Sequence, residues 1–420
     1  NISECANSLA TDGCLVATST LHISWQSLAD DFGYYEFTSN GSTSTTTATS
    51  TTVVESDNST NNFSVRAVDK TGNWSVPQTT TVVVSSMPVV INEVAWAGTS
   101  ADNSSDEWIE LYNRTSSNIN LDNWILYSKT DMKPYINLSG SIPANGYYLM
   151  ERKDDNTISD IATDLIYGDG GSSWALNNLG ENLILSFAST TMDEIPYFYR
   201  WYGGSDYAYL SMERTGPDAL GTNRSSWGSN IYTGLVRNGK DADGNKIFGT
   251  PKARNSLNYL IPRGPSVVLT KAKSPYIVDN QGQTFRDNET VTIEPGTMIK
   301  FYNDSGLFFT GNSKIIAKGT VEEPIIFTAY NDDAYGGDLD ATSTVSHPGS
   351  WFGINIDTTN NDSIFDHTIF RYGGKYYTSG DYSRANLGIK NSSVNISNST
   401  FESSFVYGIK LNNSNSNVSY

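Results

Sequence analysis

The sequence predicts an all-β protein: two β-sandwich domains in series, then a parallel β-solenoid. Three observations carry that reading. Aromatic residues make up 12% of the 420-residue chain and Ser, Thr, Asn and Gly are abundant throughout, a composition of many strands and turns. In the first part of the chain, apolar and polar residues alternate over short runs, the period of a strand with one buried face. From about residue 259 the apolar runs shrink to three or four residues between Gly and Asn corners, the texture of stacked solenoid rungs. The length sets a prior of roughly two to four domains.

Charge narrows the function classes. The chain has 45 acidic against 27 basic residues, a net charge of −18. A nucleic-acid binder needs a basic face, and none is visible, so no nucleic-acid partner is expected. An acidic surface favours solubility and cation binding. No apolar run approaches the roughly 20 residues that cross a bilayer, so no membrane span is expected in this region.

Residues 1–87 form the first expected domain. LHISW puts Leu21, Ile23 and Trp25 on one strand face; GYYEF, FSVRAV and TTTVVV are further strands, and DKTGNWS is a turn cluster. The low-complexity run STSTTTATSTT reads as an exposed edge strand, because Thr is a good strand former. Short strands with an early Trp suggest a sandwich. FSVRAVDKTGNWS resembles the late strand and turn of a fibronectin type III or related immunoglobulin-like domain, over about 85 residues. Cys5 and Cys14, the chain's 2 cysteines, are expected to form a disulfide, as in small extracellular β-domains. A reactive thiol would need an activating His, and none is nearby. Asn-X-Ser/Thr triplets at Asn58, Asn62, Asn113, Asn223 and Asn398 arise readily in so Asn-, Ser- and Thr-rich a chain and carry little weight.

Residues 85–88 read as a linker, and residues 88–258 as the second domain. Its opening segment, VVINEVAWAGTSADNSSDEWIELYN, holds Glu93, Asp102, Asp106, Glu107 and Glu110. The alternation places Val89, Ile91 and Glu93 on one strand face. Trp108, Glu110 and Tyr112 share a face opposite Ile109 and Leu111, so Glu110 is expected to be at least half buried and to accept hydrogen bonds. INEVAW, DEWIELYN, LDNWILYS, SMER (residues 211–214) and GTPKARNS (residues 249–256) together resemble the lamin-tail domain, an immunoglobulin-like sandwich of many bacterial secreted proteins. The resemblance implies that these acids are structural acceptors, against the competing readings of a cation site or a catalytic pair. The stretch 192–245 is longer than a minimal domain of that kind, so insertions are expected there.

Residues 259–420 form the third domain. Residues 291–293, 298–301, 307–309, 314–316 and 324–327 are its first short strands. Later pieces repeat: TIFRYGG with STFESSF, and WFGIN with NLGIKNSS and VYGIKLNNS. The pattern resembles secreted right-handed parallel β-helix proteins. The chain stops inside what reads as a new rung, so a longer polypeptide or end-to-end stacking is expected, the bare rung offering unpaired backbone groups.

Candidate chemistry is sparse. YNDDAYGGDLDATS packs Asp332, Asp333, Asp338 and Asp340 into a glycine-hinged loop. Clustered hard oxygens suit Ca²⁺, so these four are the candidate metal residues and Ca²⁺ the candidate cofactor, against a solvated acidic loop. KDADGNKIF, with Asp241, Asp243 and Asn245, departs from the EF-hand pattern and reads better as a hairpin turn. Asp366, His367 and Arg371 match no lyase motif and read as rung residues. Three histidines, His22, His347 and His367, exclude a His-rich zinc site. No G-x-S-x-G elbow or phosphate loop occurs.

These readings give a non-catalytic secreted structural or adhesive protein of a bacterial cell surface, an extracellular layer or a filament. The expected partners are other copies of itself, other surface proteins and surface glycans. Competing expectations are a polysaccharide lyase or hydrolase acting through the solenoid face, and a set of carbohydrate-binding modules.

Overall fold

The structure, a computed structural model, describes the chain except residues 12, 28–30, 197, 232–235, 281, 340–344, 377–383 and 420, and the side chains of residues 6 and 7. Its regular structure is strands with a few short 3-10 turns. It divides into two compact units, Asn1–Tyr232 with Asn238–Asn255, and Thr233–Arg237 with Ser256–Tyr420. The first unit holds both expected sandwich modules. Among the described residues, no helix is long and apolar enough to cross a membrane.

The N-terminal module has a five-stranded sheet in the order Cys14–Val16, Gln78–Val84, Ser59–Asp69, Phe32–Ser39 and Ser42–Thr46. A two-stranded sheet of Thr20–Ser24 and Ser50–Val54 supplies the second layer. Leu21 and Ile23 from the small sheet meet Phe37, Phe63, Val82 and Val84 from the large one, the inward halves of alternating strands. The Thr/Ser run makes two strands rather than one. Ser42–Thr46 is the exposed edge of the large sheet, and Ser50–Val54 crosses to the small sheet. The split follows from sequence, because Val53 packs on the core while residues 42–45 offer only hydroxyls and stay exposed. Cys5 and Cys14 are bridged, with Cα atoms 5.3 Å apart, tying the first 3-10 turn to the strand that pairs parallel to Gln78–Val84.

The segment 85–88 is a fixed connection. Ser85 is fully buried and its N–H donates to Val16 O at 2.9 Å, while Arg114 Nη1 holds Met87 O at 2.8 Å. One continuous core runs from Leu9, Leu15 and Val83 into the second module.

That module has a six-stranded sheet in the order Leu165–Ile166, Tyr147–Glu151, Trp108–Asn113, Val89–Ala95, Met212–Arg214 and Trp227–Ser229. A four-stranded sheet of Tyr135–Asn137, Trp124–Ser128, Leu183–Phe187 and Thr190–Ile195 packs across it. The pairing of Val89–Ala95 with Trp108–Asn113 slips between Ile91 and Glu93. This β-bulge corrects the sequence reading. Val89, Ile91 and Val94 all join the sandwich core, whereas Glu93 stands opposite Glu110. The extra residue, Asn92, resets the alternation by one position, so Glu93 does not share a face with Ile91.

In the second unit the chain visits three parallel sheets in rotation, so that every third strand becomes a neighbour. Asp366, for example, pairs with Ser397, Phe370 with Phe401 and Ile389 with Leu411. Each apolar side chain therefore lies above its equivalent. Phe327, Phe370 and Phe401 stack at ring-centroid separations of 4.8 and 4.7 Å, and Phe301 lies on Trp351 at 3.8 Å. TIFRYGG and STFESSF stack in the register their sequences suggest. The Gly-Ile repeats are shifted by two residues, with Leu387 rather than Ile389 beside Ile409. A two-residue shift keeps the same side chains inward, so the packing tolerates it. Corners are built by Asn at positive φ, including Asn391 (φ 51), Asn398 (φ 47) and Asn413 (φ 49), a backbone region that Asn tolerates better than other side chains.

Candidate functional site

The five acids of the opening segment divide by strand position. Glu93 and Glu110 lie on the face of the six-stranded sheet turned away from the sandwich core, with Trp108 beside them. The segment 249–256 closes over them. Gly249 makes this possible, because a Cβ there would lie 2.6 Å from the Trp108 ring and 3.1 Å from Glu93 Oε1. Glu93 accepts from Ser211 Oγ at 2.5 Å, Thr250 N at 2.9 Å and Thr250 Oγ1 at 2.7 Å. Glu110 accepts from Asn92 Nδ2 at 2.8 Å and from Lys252 N at 2.5 Å. Both carboxyls are fully buried, as is Glu213, which accepts from Asn230 Nδ2 at 2.7 Å. Asn255 spans Asn92 O and Arg214 O at 3.1 and 3.0 Å. The bulge residue and the SMER strand are thus joined to the closing segment.

Burial shifts Glu93 and Glu110 towards their protonated forms. Desolvation raises Glu93 well above the ordinary glutamate value, and the neighbouring charges of Glu213 and Glu110 add to it. Desolvation also pushes Glu110 up to about 8, against the opposing pull of the Lys252 N–H and Asn92. The geometry agrees. The Thr250 hydroxyl lies 2.7 Å from Glu93 Oε2 and 3.2 Å from Glu213 Oε1, and it has one proton to give. Making both bonds requires a carboxyl proton from the second side.

The other acids are held differently. Glu107 accepts from Arg152 Nη1 and Leu176 N, each at 2.8 Å. Asp106 is buried with Lys153 Nζ at 3.5 Å, and Asp102 is exposed. Behind them, Asp193 and Arg214 form a buried ion pair, with Arg214 Nε donating to Ile91 O at 2.7 Å. The sequence reading passed over Glu213, Ser211, Thr250 and Asn255 as individual residues. Their signal was present in the SMER and GTPKARNS pieces, which the fold brings against INEVAW and DEWIELYN.

The acidic loop after Ile325–Ala329 behaves unlike an open carboxylate cluster. Asp332 is buried and accepts from Thr328 Oγ1 at 2.5 Å and Arg371 Nη1 at 2.9 Å. Arg371 also reaches Glu402 Oε1 at 2.6 Å and lies over the rings of Tyr335 and Tyr372, 4.9 Å from each centroid. The buried Lys300 donates to Gly337 O at 2.5 Å. Asp333 and Asp338 belong to the same loop, and Asp340 lies outside the described residues. Among the described residues, no three His, Cys, Asp or Glu side chains come together in a way that could hold a metal ion. Arg371 is the partner that sequence reasoning missed, because it comes from the next rung.

Asp366 and His367 meet as chain neighbours, whereas Arg371 is paired elsewhere, with Asp332 and Glu402. Asp366 accepts from Ser397 Oγ at 2.7 Å and Asn398 Nδ2 at 2.9 Å, while His367 Nδ1 lies 3.1 Å from Asp366. His367, at φ 47, occupies the corner that Asn398 occupies one rung later. Asp241 caps its own turn, accepting from Asp243 N at 3.0 Å and Asn245 N at 2.8 Å.

No curated protein matches the sequence significantly. Two solved structures align with very low global similarity. One is a DUF4876 family protein from Bacteroides thetaiotaomicron, at 10% identity and a TM-score of 0.24, over 52% of this chain and 89% of that one. The other is a chitinase from Bacillus thuringiensis, at 22% identity and a TM-score of 0.16, over 36% of this chain and 25% of that one. At those scores neither bears on function. Residues 83–198 match the family model of the Lamin Tail Domain, which ends before the SMER and GTPKARNS pieces that complete the buried cluster.

Proposed function

We propose that this chain is a non-catalytic structural or adhesive protein of a bacterial cell surface or extracellular assembly. In this reading a fibronectin type III-like sandwich and a lamin-tail sandwich precede a right-handed parallel β-helix. The observation that carries it is where the candidate acids are spent. Glu93, Glu110 and Glu213 are fully buried among donors of their own sheet and its covering segment. A general acid/base pair has to face a substrate. The Cys5–Cys14 bridge supports an oxidising compartment. Stacked rungs that add main-chain bonds and aromatic contacts by repetition suit a protein whose task is mechanical or adhesive.

Sedimentation and negative-stain microscopy of the purified chain test the reading, together with assays for polysaccharide cleavage. Self-association into fibres or sheets, or binding to a cell wall without turnover, is expected. Release of reducing ends or unsaturated sugars would replace it with the polysaccharide lyase or hydrolase reading.

Calcium enters this reading as a proposal for the loop of Asp332, Asp333, Asp338 and Asp340. An incoming ion would compete with the Arg371 guanidinium for Asp332. Melting with calcium and with chelator decides it. A rise of several degrees with calcium is the expected result if the loop takes the ion, and superimposable curves would remove calcium from the reading.

A further inference from the structure

The N-terminal sandwich holds an open pocket of about 340 Å³ where its two sheets part. Its floor is the half-buried Trp25 ring, backed by Phe37 and Phe63, which are buried in the sandwich core. Trp25 stacks on Phe37 at 5.8 Å and 13°, and Phe37 on Phe63 at 6.1 Å and 14°. This stack is fixed in place. Trp25 N–H donates to Thr49 O at 2.9 Å, Tyr35 meets the indole edge-on at 5.5 Å, and the Tyr35 hydroxyl donates to Gln26 O at 3.3 Å. The rim is polar, with Gln26, Ser64 and Gln78; among the described residues no ionisable side chain lines the pocket, and the Asn1 amino group at its edge donates to Ser24 O at 2.7 Å. The indole N–H of Trp25, largely covered, finds no acceptor among the described residues.

We propose that this pocket binds a neutral saccharide. The proposal rests on the adhesive reading above and names its ligand class. The chemistry selects the ligand by exclusion and by fit. A carboxylate, sulfate or phosphate ligand calls for Arg or Lys, which form its strong charge-assisted bonds, and the lining has neither among the described residues. The net charge of −18 further repels polyanions. A purely apolar ligand would strand the amide and hydroxyl groups of the rim without partners. A pyranose ring has both surfaces the pocket offers. Its C–H face lies against an aromatic floor, and its ring of hydroxyls both donates and accepts, as do Gln and Ser side chains. A volume of about 340 Å³ falls in the range of small-molecule sites that combine an aromatic lining with a few placed polar groups.

The test is calorimetric titration and tryptophan fluorescence on the whole chain. The probes are neutral oligomers of glucose, N-acetylglucosamine, xylose and mannose, with polygalacturonate as the anionic control. Two variants accompany the parent: Trp25→Ala, which removes the floor, and the double variant Gln26→Ala/Gln78→Ala, which strips the rim. The double variant keeps the test valid if Trp25→Ala fails to fold. At least one neutral oligomer should bind the parent, and the rim variant should weaken it about tenfold, as expected for two lost hydrogen bonds, with its melting unchanged. Absence of binding by every neutral oligomer would overturn the proposal, as would equal binding by both variants or preference for polygalacturonate. Those results leave the self-association measurements untouched. Cleavage of a bound oligomer, with binding still lost in the rim variant, supports the pocket while ending the non-catalytic reading.

Discussion

Glu110 and Glu93 show how a buried acid can be a structural element and still titrate. The groups facing them are Glu213 on the Met212–Arg214 strand, Lys252 in the covering segment and Asp164 beyond Glu110. Glu110 rises from an ordinary 4.5 to about 8 in the folded chain. Between those values the folded state keeps a proton that the unfolded state releases, so the stabilisation is complete below the lower value and is lost as pH climbs through the upper one. The melting temperature of the first unit should therefore fall between about pH 5 and pH 8.5, a window set by that raised value. Glu110→Gln keeps the shape and removes the charge, so its melting should vary less with pH over the same range. A variant whose slope matches the parent would show that Glu110 does not carry the linkage.

At the scale of the element, the three parallel sheets of the second unit are stabilised by stacking and their corners by Asn. Phe370 is fully buried between Phe327 and Phe401 and meets Phe365 edge-on at 5.5 Å. Phe370→Ala removes a ring that two rungs share, so it should cost about 3–5 kcal/mol, the usual range for Phe→Ala in a core. Denaturant titration of the second unit's transition measures this, and a loss below about 1 kcal/mol would mean that the rungs relax around the cavity. At the corners, Asn413 Nδ2 donates to Asn391 Oδ1 at 2.8 Å, and Asn391 Nδ2 to Asp357 Oδ1 at 3.2 Å. Asn therefore serves twice there, by tolerating positive φ and by bridging rungs.

For the whole molecule, two compact units with separate cores imply two thermal transitions in calorimetry. The Cys5–Cys14 bridge belongs to the first unit, with a sequence separation of 9. A loop of that size stabilises by roughly 2–3 kcal/mol on the chain-entropy account. Replacing both cysteines by Ser should lower the first unit's transition and leave the other in place. Movement of both transitions together would show that the units melt as one.

The sequence by itself determined the elements of this protein. Alternation in FSVRAV and DEWIELYN placed their strands, and three-residue apolar runs between Asn and Gly corners placed the rungs, because strand period and turn chemistry are local properties. The burial of Glu110 was legible from Trp108 and Tyr112 for the same reason. Three features became visible only in the tertiary structure. The bulge at Asn92 moved Glu93 to the face of Glu110, since register depends on the partner strand. Thr250 and Lys252 closed over the two acids from more than a hundred residues away. Arg371 reached Asp332 from the next rung. A carboxylate's neighbours are set by the path of the whole chain, and those neighbours decide whether it faces water, a cation or a core.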